Sequence, residues 1–271
     1  MEQNTQNWLN FRKDKIGSSD SPIIMGVSPW NTPYKLWRQK LDLDPPQEET
    51  QAMQQGKLRE EIARIEFIRR TGIEVIPDVR VSDELPWAMA SADGISADGK
   101  TLIEIKNPIH AKPECVPDIY MPQLQKQMYV YRLAKMIYFD FTSDFMLEVD
   151  RDDDYIENML EVETVFYDCM QNLVAPTLEK RDYVQRNDTA WLDATEDWLK
   201  LYEERKELEK KEQCAREYLI RLAGNSNCKG NGVSVSKIVR KGNIQFKDIP
   251  QLKGIDLEQY RGTPIESWRI A

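Results

Sequence analysis

The sequence predicts an α+β fold: a mixed central β-sheet flanked by helices, followed by a helical and β-hairpin C-terminal extension. Three observations predict it. Short apolar runs bounded by Gly, Asp and Pro (73–81, 87–91, 102–106, 136–142 and 145–149) read as strands. Apolar residues at three- and four-residue steps mark helices before, between and after them. Past residue 186 the composition turns charge-dense, which divides the chain into an expected core of 1–186 and an extension of 187–271.

In order, residues 4–13 read as a short helix, and the turn Lys15–Asp20 offers hydroxyls and Asp20 as N-caps for the run Pro22–Met25. Thr32-Pro33 opens a helix through Leu41, with proline in the first turn. The polar stretch 44–50 leads into a long helix that ends near Gly72, a C-capping glycine. After the first three strands, a helix is predicted over 118–134 and another over 152–181. Residues 194–223 carry Trp198, Leu201, Leu208, Ala215, Leu219 and Leu222 at heptad-like steps, a pattern that predicts packing on a partner helix. Val233–Val239 and Ile244–Phe246, joined through Arg240-Lys241-Gly242-Asn243, predict a hairpin.

Composition narrows the chemistry. With 271 residues, a single histidine and four dispersed cysteines, the chain lacks the ligands for a paired-histidine or thiolate zinc site. No GxxxxGK[ST] or GxGxxG phosphate loop occurs. No apolar run approaches the ~18 residues of a membrane span, and the polar N-terminal segment does not read as a secretory signal, so the cytoplasm is the expected location. The net charge of −9 argues against a passive nucleic-acid coat. Both ends are nonetheless basic: residues 229–271 carry eight Lys/Arg against four Asp/Glu, and residues 1–41 carry six against three. An enzyme of this composition runs on carboxylates, lysine and a metal.

The central motif is Asp93-Gly94 followed by Leu102-Ile103-Glu104-Ile105-Lys106. Strand alternation puts Glu104 and Lys106 on one face, Ile103 and Ile105 on the other. With Asp93 beside them, the carboxylates suit a hard cation such as Mg²⁺, and a lysine can orient a water or offset charge on phosphorus. The solvated face of an amphipathic edge strand is the commoner origin of such spacing. In the long helix, Leu58, Ile62, Ile65 and Ile68 form one apolar stripe. Met53, Gly56, Ala63 and Phe67 form a second that includes Glu60, whereas Glu61 aligns with Lys57 and Arg64 on a solvated face. Glu60 thus points where a carboxylate needs a cation or donor. Gln123, Gln127 and Tyr131 share a helix face near Tyr120, and Arg12 with Ser18-Ser19 at a helix start offers a phosphate site. A polar helix face and an ordinary capped helix are the plainer alternatives. The acidic run 150–154 reads as a solvated helix N-terminus.

These blocks, taken in order, resemble the phage lambda exonuclease family (YqaJ-type viral recombinases) of the PD-(D/E)XK nuclease superfamily. They are Trp8…Arg12…Ile16-Gly17-Ser18-Ser19-Asp20, Ser28-Pro29-Trp30…Trp37, Gly56…Glu60, Thr71-Gly72, Ser91-Ala92-Asp93-Gly94, Glu104-Ile105-Lys106 and Gln123…Gln127-Met128. Ala92 stands where the motif usually has proline. The resemblance implies a restriction-endonuclease-like core and a 5′→3′ exonuclease that digests one strand of duplex DNA from its end in phage-type recombination. It also implies Mg²⁺ or Mn²⁺, two ions per site, with Asp93, Glu104 and the Ile105 carbonyl as ligands. Lys106 would activate the attacking water, Glu60 support the second ion or its water, and Gln123 hold the water or scissile phosphate. Arg12 and Ser19 would receive the 5′-terminal phosphate. A ring-shaped homotrimer, a single-strand annealing partner and action in the cytoplasm of a bacterial host are implied too. A superfamily endonuclease of restriction or repair, and an end-binding recombination scaffold with a weak nuclease centre, stand as alternatives. For the tail, Lys237, Arg240, Lys241 and Lys247 permit DNA or subunit contact as readily as a small satellite domain.

Overall fold

The computed structural model describes residues 6–45, 51–107, 115–240, 242 and 249. His110 and the expected second hairpin strand, 244–246, lie outside the described residues. The chain divides into two compact units, Met1–Val184 and Gln185–Ala271.

In the first unit, α1 (Gln6–Phe11), β1 (Ile16–Gly17), α2 (Ser21–Ile24), α3 (Pro33–Lys40) and α4 (Gln51–Thr71) precede the strands β2 (Val75–Val81), β3 (Ala88–Ser96) and β4 (Leu102–Lys106). A 3-10 turn at Asp118–Tyr120 leads into α5 (Met121–Tyr131), then β5 (Lys135–Asp140), β6 (Phe145–Asp150) and α6 (Asp153–Gln171). The sheet runs β1-β3-β4-β5-β6 with β2 also paired to β3. Pairs β1–β3 and β4–β5 are parallel, while β2–β3, β3–β4 and β5–β6 are antiparallel. This is the mixed α+β sheet the sequence predicts.

Several local expectations hold for their physical reasons. The Thr32 hydroxyl caps α3 by accepting from the Lys35 amide (3.2 Å), and Gly72 follows α4 with φ 69°. Asp152 caps α6 through the Tyr155 amide (2.9 Å). Three differ. Asp20 makes no capping bond to α2, because its carboxylate is taken by Arg12, Lys40 and the Gly17 amide. The predicted 152–181 helix ends at Gln171: Leu173 turns to φ 54°, and Pro176 restricts the residue before it. The stripe Leu58, Ile62 and Ile65 is not core but 65, 55 and 61% exposed, while Ala63 and Phe67 pack against Ile103, Ile105 and Phe139.

Two faces of the sheet are covered. Phe67 and Ala63 of α4 meet Val75, Ile103, Ile105 and Phe139. Leu124 and Met128 of α5 meet Ala90, Ala92, Leu102 and Tyr138. β4 is therefore a central strand buried on both sides.

In the second unit, α7 (Thr189–Ala223) starts at Asp188, whose carboxylate caps Trp191 (3.1 Å), and contains no buried residue. The predicted packing of its heptad face on a helix is not seen among the described residues. A hairpin not expected from the sequence forms here: β8 (Val233–Val235) pairs with β7 (Cys228–Gly230) across Asn231-Gly232, both at positive φ. An Asn-Gly pair is the usual two-residue hairpin turn, and the expected partner strand 244–246 lies outside the described residues.

Candidate active site

The site begins with an irregularity in β3. Along β2 the register passes from Ile76 to Asp78, two steps, while its partner passes from Ile95 to Ala92, three. β3 therefore holds one extra residue, a β-bulge, at Asp93-Gly94. Pro77 sits at the skipped position and has no amide to give the ladder, which is where bulges settle. Gly94 is required sterically: a Cβ would lie 2.7 Å from Val75 Cγ2 and 2.9 Å from Ile103 Cγ1.

The bulge aims Asp93 at β4. β3 and β4 pair at Gly94–Ile103 and Ile95–Leu102, and continuing that register brings Asp93 beside Glu104. Asp93 Oδ2 accepts from the Ile105 amide at 2.7 Å. Glu104, 2% exposed, accepts on Oε1 from Lys106 Nζ (2.5 Å) and Gln123 Nε2 (2.5 Å), and on Oε2 from Gln127 Nε2 (2.5 Å). Lys106 Nζ also donates to Gln123 Oε1 (3.0 Å) and lies 5.1 Å from the Tyr120 ring centroid. Gln127 Nε2 reaches the Ser91 carbonyl (2.8 Å), so the amide binds β3 and β4 together. The burial of Glu104 in a central strand excludes the solvated edge-strand reading.

From the opposite helix, Glu60 Oε1 accepts from Arg64 Nη2 at 2.8 Å, and Arg64 Nε donates to the Asp93 carbonyl at 2.7 Å. Glu60 is half-buried and close enough to feel Glu104 and Lys106. Arg64 was expected on the solvated face with Glu61; the packing of Ala63 and Phe67 rolls it toward β3 instead.

Charge is unbalanced in this cluster. Burial, then the Glu104 and Glu60 carboxylates, push Asp93 well above the usual carboxylate range. Burial also raises Glu60 against the pull of Arg64. Lys106 is raised: burial acts to depress it, but Glu104 and Asp93 outweigh that. Three carboxylates thus face two cations, the Lys106 ammonium and the Arg64 guanidinium, and the one surplus negative charge fits a further cation. The donor set sets limits on it. Glu104 offers about four lone-pair positions and three are used by Lys106, Gln123 and Gln127, which leaves one. No trio of His, Cys, Asp or Glu among the described residues forms a ready cage. Such a site suits Mg²⁺ or Mn²⁺, which takes one or two carboxylates and completes its shell with carbonyl, water and phosphate oxygens. It does not suit a fully protein-ligated ion.

The predicted end-binding residues also meet. Arg12 Nη2 donates to Ser19 Oγ (3.3 Å) and Asp20 Oδ1 (2.9 Å), and its guanidinium lies 4.7 Å from the Trp8 ring centroid. Burial would raise Asp20, but Lys40 and Arg12 hold it well below the usual carboxylate range. Lys40 Nζ is 2.6 Å from Asp20 and donates to the Lys15 carbonyl at 2.7 Å. The helix-start part of the expectation fails: α2 has four residues and a buried carboxylate at its head. Any anion there rests on the Arg12 and Ser19 side chains.

Tyr131 leaves the amide group; its ring lies 4.6 Å from the Arg80 guanidinium. What sequence reasoning missed is Arg64, legible only as Glu60 plus four, and a buried tie. Lys126, between Gln123 and Gln127 on α5, pairs with Glu163 of α6 with both side chains fully buried, and Ser21 Oγ donates to Glu163 Oε1 (2.5 Å). Lys126 also sits 4.9 Å from the Trp87 ring. This tie holds the helix that presents the two amides.

Known proteins resemble this chain in sequence and fold. The chain is 28% identical over 217 residues to the uncharacterized protein YqaJ of Bacillus subtilis (strain 168), covering 72% of this chain and 68% of that one. Its fold matches the crystal structure of an alkaline exonuclease (LHK-Exo) from Laribacter hongkongensis with a TM-score of 0.52 at 25% identity, over 63% of this chain and 94% of the other. The same enzyme in complex with dAMP superposes with a TM-score of 0.51 at 24% identity, over 63% and 94% of the two chains. Residues 7–134 match the YqaJ-like viral recombinase domain, so the likeness in sequence lies in the part of the chain that carries the candidate site.

Proposed function

We propose that this protein is a recombination nuclease that hydrolyses linear duplex DNA 5′→3′ from its ends, using divalent metal. The observation that carries the reading is the bulge that sets Asp93 beside Glu104 and Lys106 on a buried central strand. The likeness to an alkaline exonuclease supports the reaction class.

Asp93, Glu104 and the Ile105 carbonyl would hold the metal, with Glu60 available to a second ion or its water. A bound divalent ion lowers the pKa of a water and offsets charge on the phosphate. The chain's own groups do the rest. Lys106, kept as an ammonium by Glu104 and Asp93, donates to the nucleophilic water or a phosphoryl oxygen and stabilises charge there. Gln123, tied to both Lys106 and Glu104, fixes where that donor points and offers a neutral amide to the water or scissile phosphate. Gln127 fixes the second Glu104 oxygen. Arg12 and Ser19 would take the 5′-terminal phosphate through a charge-assisted bond. A basic DNA path within a homotrimeric ring, and an annealing protein as partner, complete the proposal for a chain of net charge −9.

The test uses linear and covalently closed duplex DNA with Mg²⁺ or Mn²⁺. Linear DNA is digested, closed circles persist, and Lys106→Ala loses about 10²-fold or more in kcat while keeping its circular dichroism. Removing the 5′-phosphate slows digestion, and Arg12→Ala erases that preference. Undiminished digestion by Lys106→Ala removes the assignment; equal cutting of closed circles makes the protein an endonuclease.

A further inference from the structure

We infer that Arg64 is a positioning residue for the metal-binding carboxylates, acting on two of them at once. The inference rests on the metal-site reading above and adds a group to it.

Pro77 offers no N–H to β3, so the chain at Asp93 cannot be held by an ordinary ladder bond from that position. Arg64 Nε supplies a donor from outside the sheet, to the Asp93 carbonyl at 2.7 Å. The same guanidinium gives Nη2 to Glu60 Oε1 at 2.8 Å. One planar fork therefore sets the main chain beneath one carboxylate and the side chain of another. Its side chain is 15% exposed, so both bonds are shielded from competing water. The helix cannot turn Arg64 away, because Ala63 and Phe67 on the same side are fully buried against β4 and β5.

Lysine cannot reproduce this. Arginine holds several donors in a fixed plane, whereas an ammonium is a point charge that reaches one acceptor well. Arg64→Lys keeps the charge near Glu60 and loses the second bond. A residue serving only to brace α4 against the sheet would change stability and leave metal affinity alone.

The experiment measures Mn²⁺ binding by calorimetry on the full chain without DNA, together with kcat and KM on linear duplex and the melting midpoint. Wild type, Arg64→Lys, Arg64→Gln and, as a control on the site itself, Asp93→Asn are compared. Arg64→Lys is expected to melt cooperatively near wild type, to bind Mn²⁺ about tenfold more weakly, and to lose kcat with KM for DNA little changed; Arg64→Gln loses more. Raised Mn²⁺ restores part of the lost rate. If Asp93→Asn loses Mn²⁺ while both Arg64 variants bind as wild type, the positioning role is overturned and the metal site stands. If Asp93→Asn binds Mn²⁺ normally, the metal-site reading falls, and this inference with it. Loss of the cooperative melt in both Arg64 variants makes Arg64 a structural brace and also overturns the inference.

Discussion

Asp20 shows how much one residue's setting depends on neighbours that are distant in sequence. Its carboxylate lies between Arg12 (2.9 Å) and Lys40 (2.6 Å) and accepts from the Gly17 amide (2.8 Å). Burial works to raise its pKa, and the two cations outweigh burial, so its folded value falls below the ordinary 3.8. A carboxylate depressed in the folded state contributes stability above its unfolded pKa and loses it as pH falls through the folded value. Asp20→Asn is therefore expected to cost about 3 kcal/mol at pH 7, since it leaves two cations without their partner. Urea melts should show the gap between variant and wild type narrowing as pH falls below about 4, where Asp20 takes up a proton in the unfolded chain while the folded group stays ionised. A gap that is constant with pH contradicts the ionic account. Asp93 has the opposite sign: burial first, then the Glu104 and Glu60 carboxylates, raise it and disfavour its ionised form.

At the scale of elements, the bulge in β3 and the face of α4 carry the argument. Gly94→Ala places a methyl 2.7 Å from Val75 Cγ2, with Val75 Cβ and Ile103 Cγ1 both 2.9 Å away, in a packed interior. Overpacking of this kind costs about 1–3 kcal/mol, and Val75→Ala in the same chain should recover part of it. Thermal melts of the single and double variants check the coupling; strict additivity would mean that Gly94 is needed for another reason. For α4, Phe67→Ala should cost about 3–5 kcal/mol, whereas Ile65→Gln, at a 61% exposed position, should stay within about 0.5. Denaturant midpoints decide between the two faces. A large loss at Ile65 would restore the stripe of Leu58, Ile62 and Ile65 as a buried one.

At the scale of the molecule, the division between residues 184 and 185 leaves every candidate site residue, from Arg12 to Gln127, in the first unit. The three hydrophobic clusters, which run from Ile16 to Met170, lie there too. A protein of residues 1–184 is therefore expected to melt cooperatively and to retain the proposed metal-dependent hydrolysis. If the basic tail residues contact DNA, the salt dependence of binding becomes shallower in the shortened protein, by about one unit of slope per lost phosphate contact. A shortened protein that folds but has no hydrolytic activity would place an essential element beyond residue 184. No helix among the described residues is long and apolar enough to cross a membrane.

The sequence by itself determined the order of the main helices and strands, though not the short β1 and β7, together with the ExK strand and the carboxylate beside it. These follow from local rules: alternation puts Glu104 and Lys106 on one face, Thr32-Pro33 opens a helix, and glycine at positive φ ends one. The i+4 spacing that puts Gln123 and Gln127 on one face was legible for the same reason; their convergence on Glu104 was not. Only the tertiary structure decided that β4 is central, which turned Glu104 from a solvated acid into a buried one needing donors or a cation. It also decided which side of α4 is core. A helix with two apolar stripes has no local preference between them, and the choice fell to the fit of Phe67 against Phe139 and Ile103. That choice placed Arg64 against the bulge, because side-chain position around a helix is fixed locally while the neighbour it meets is set by packing between elements.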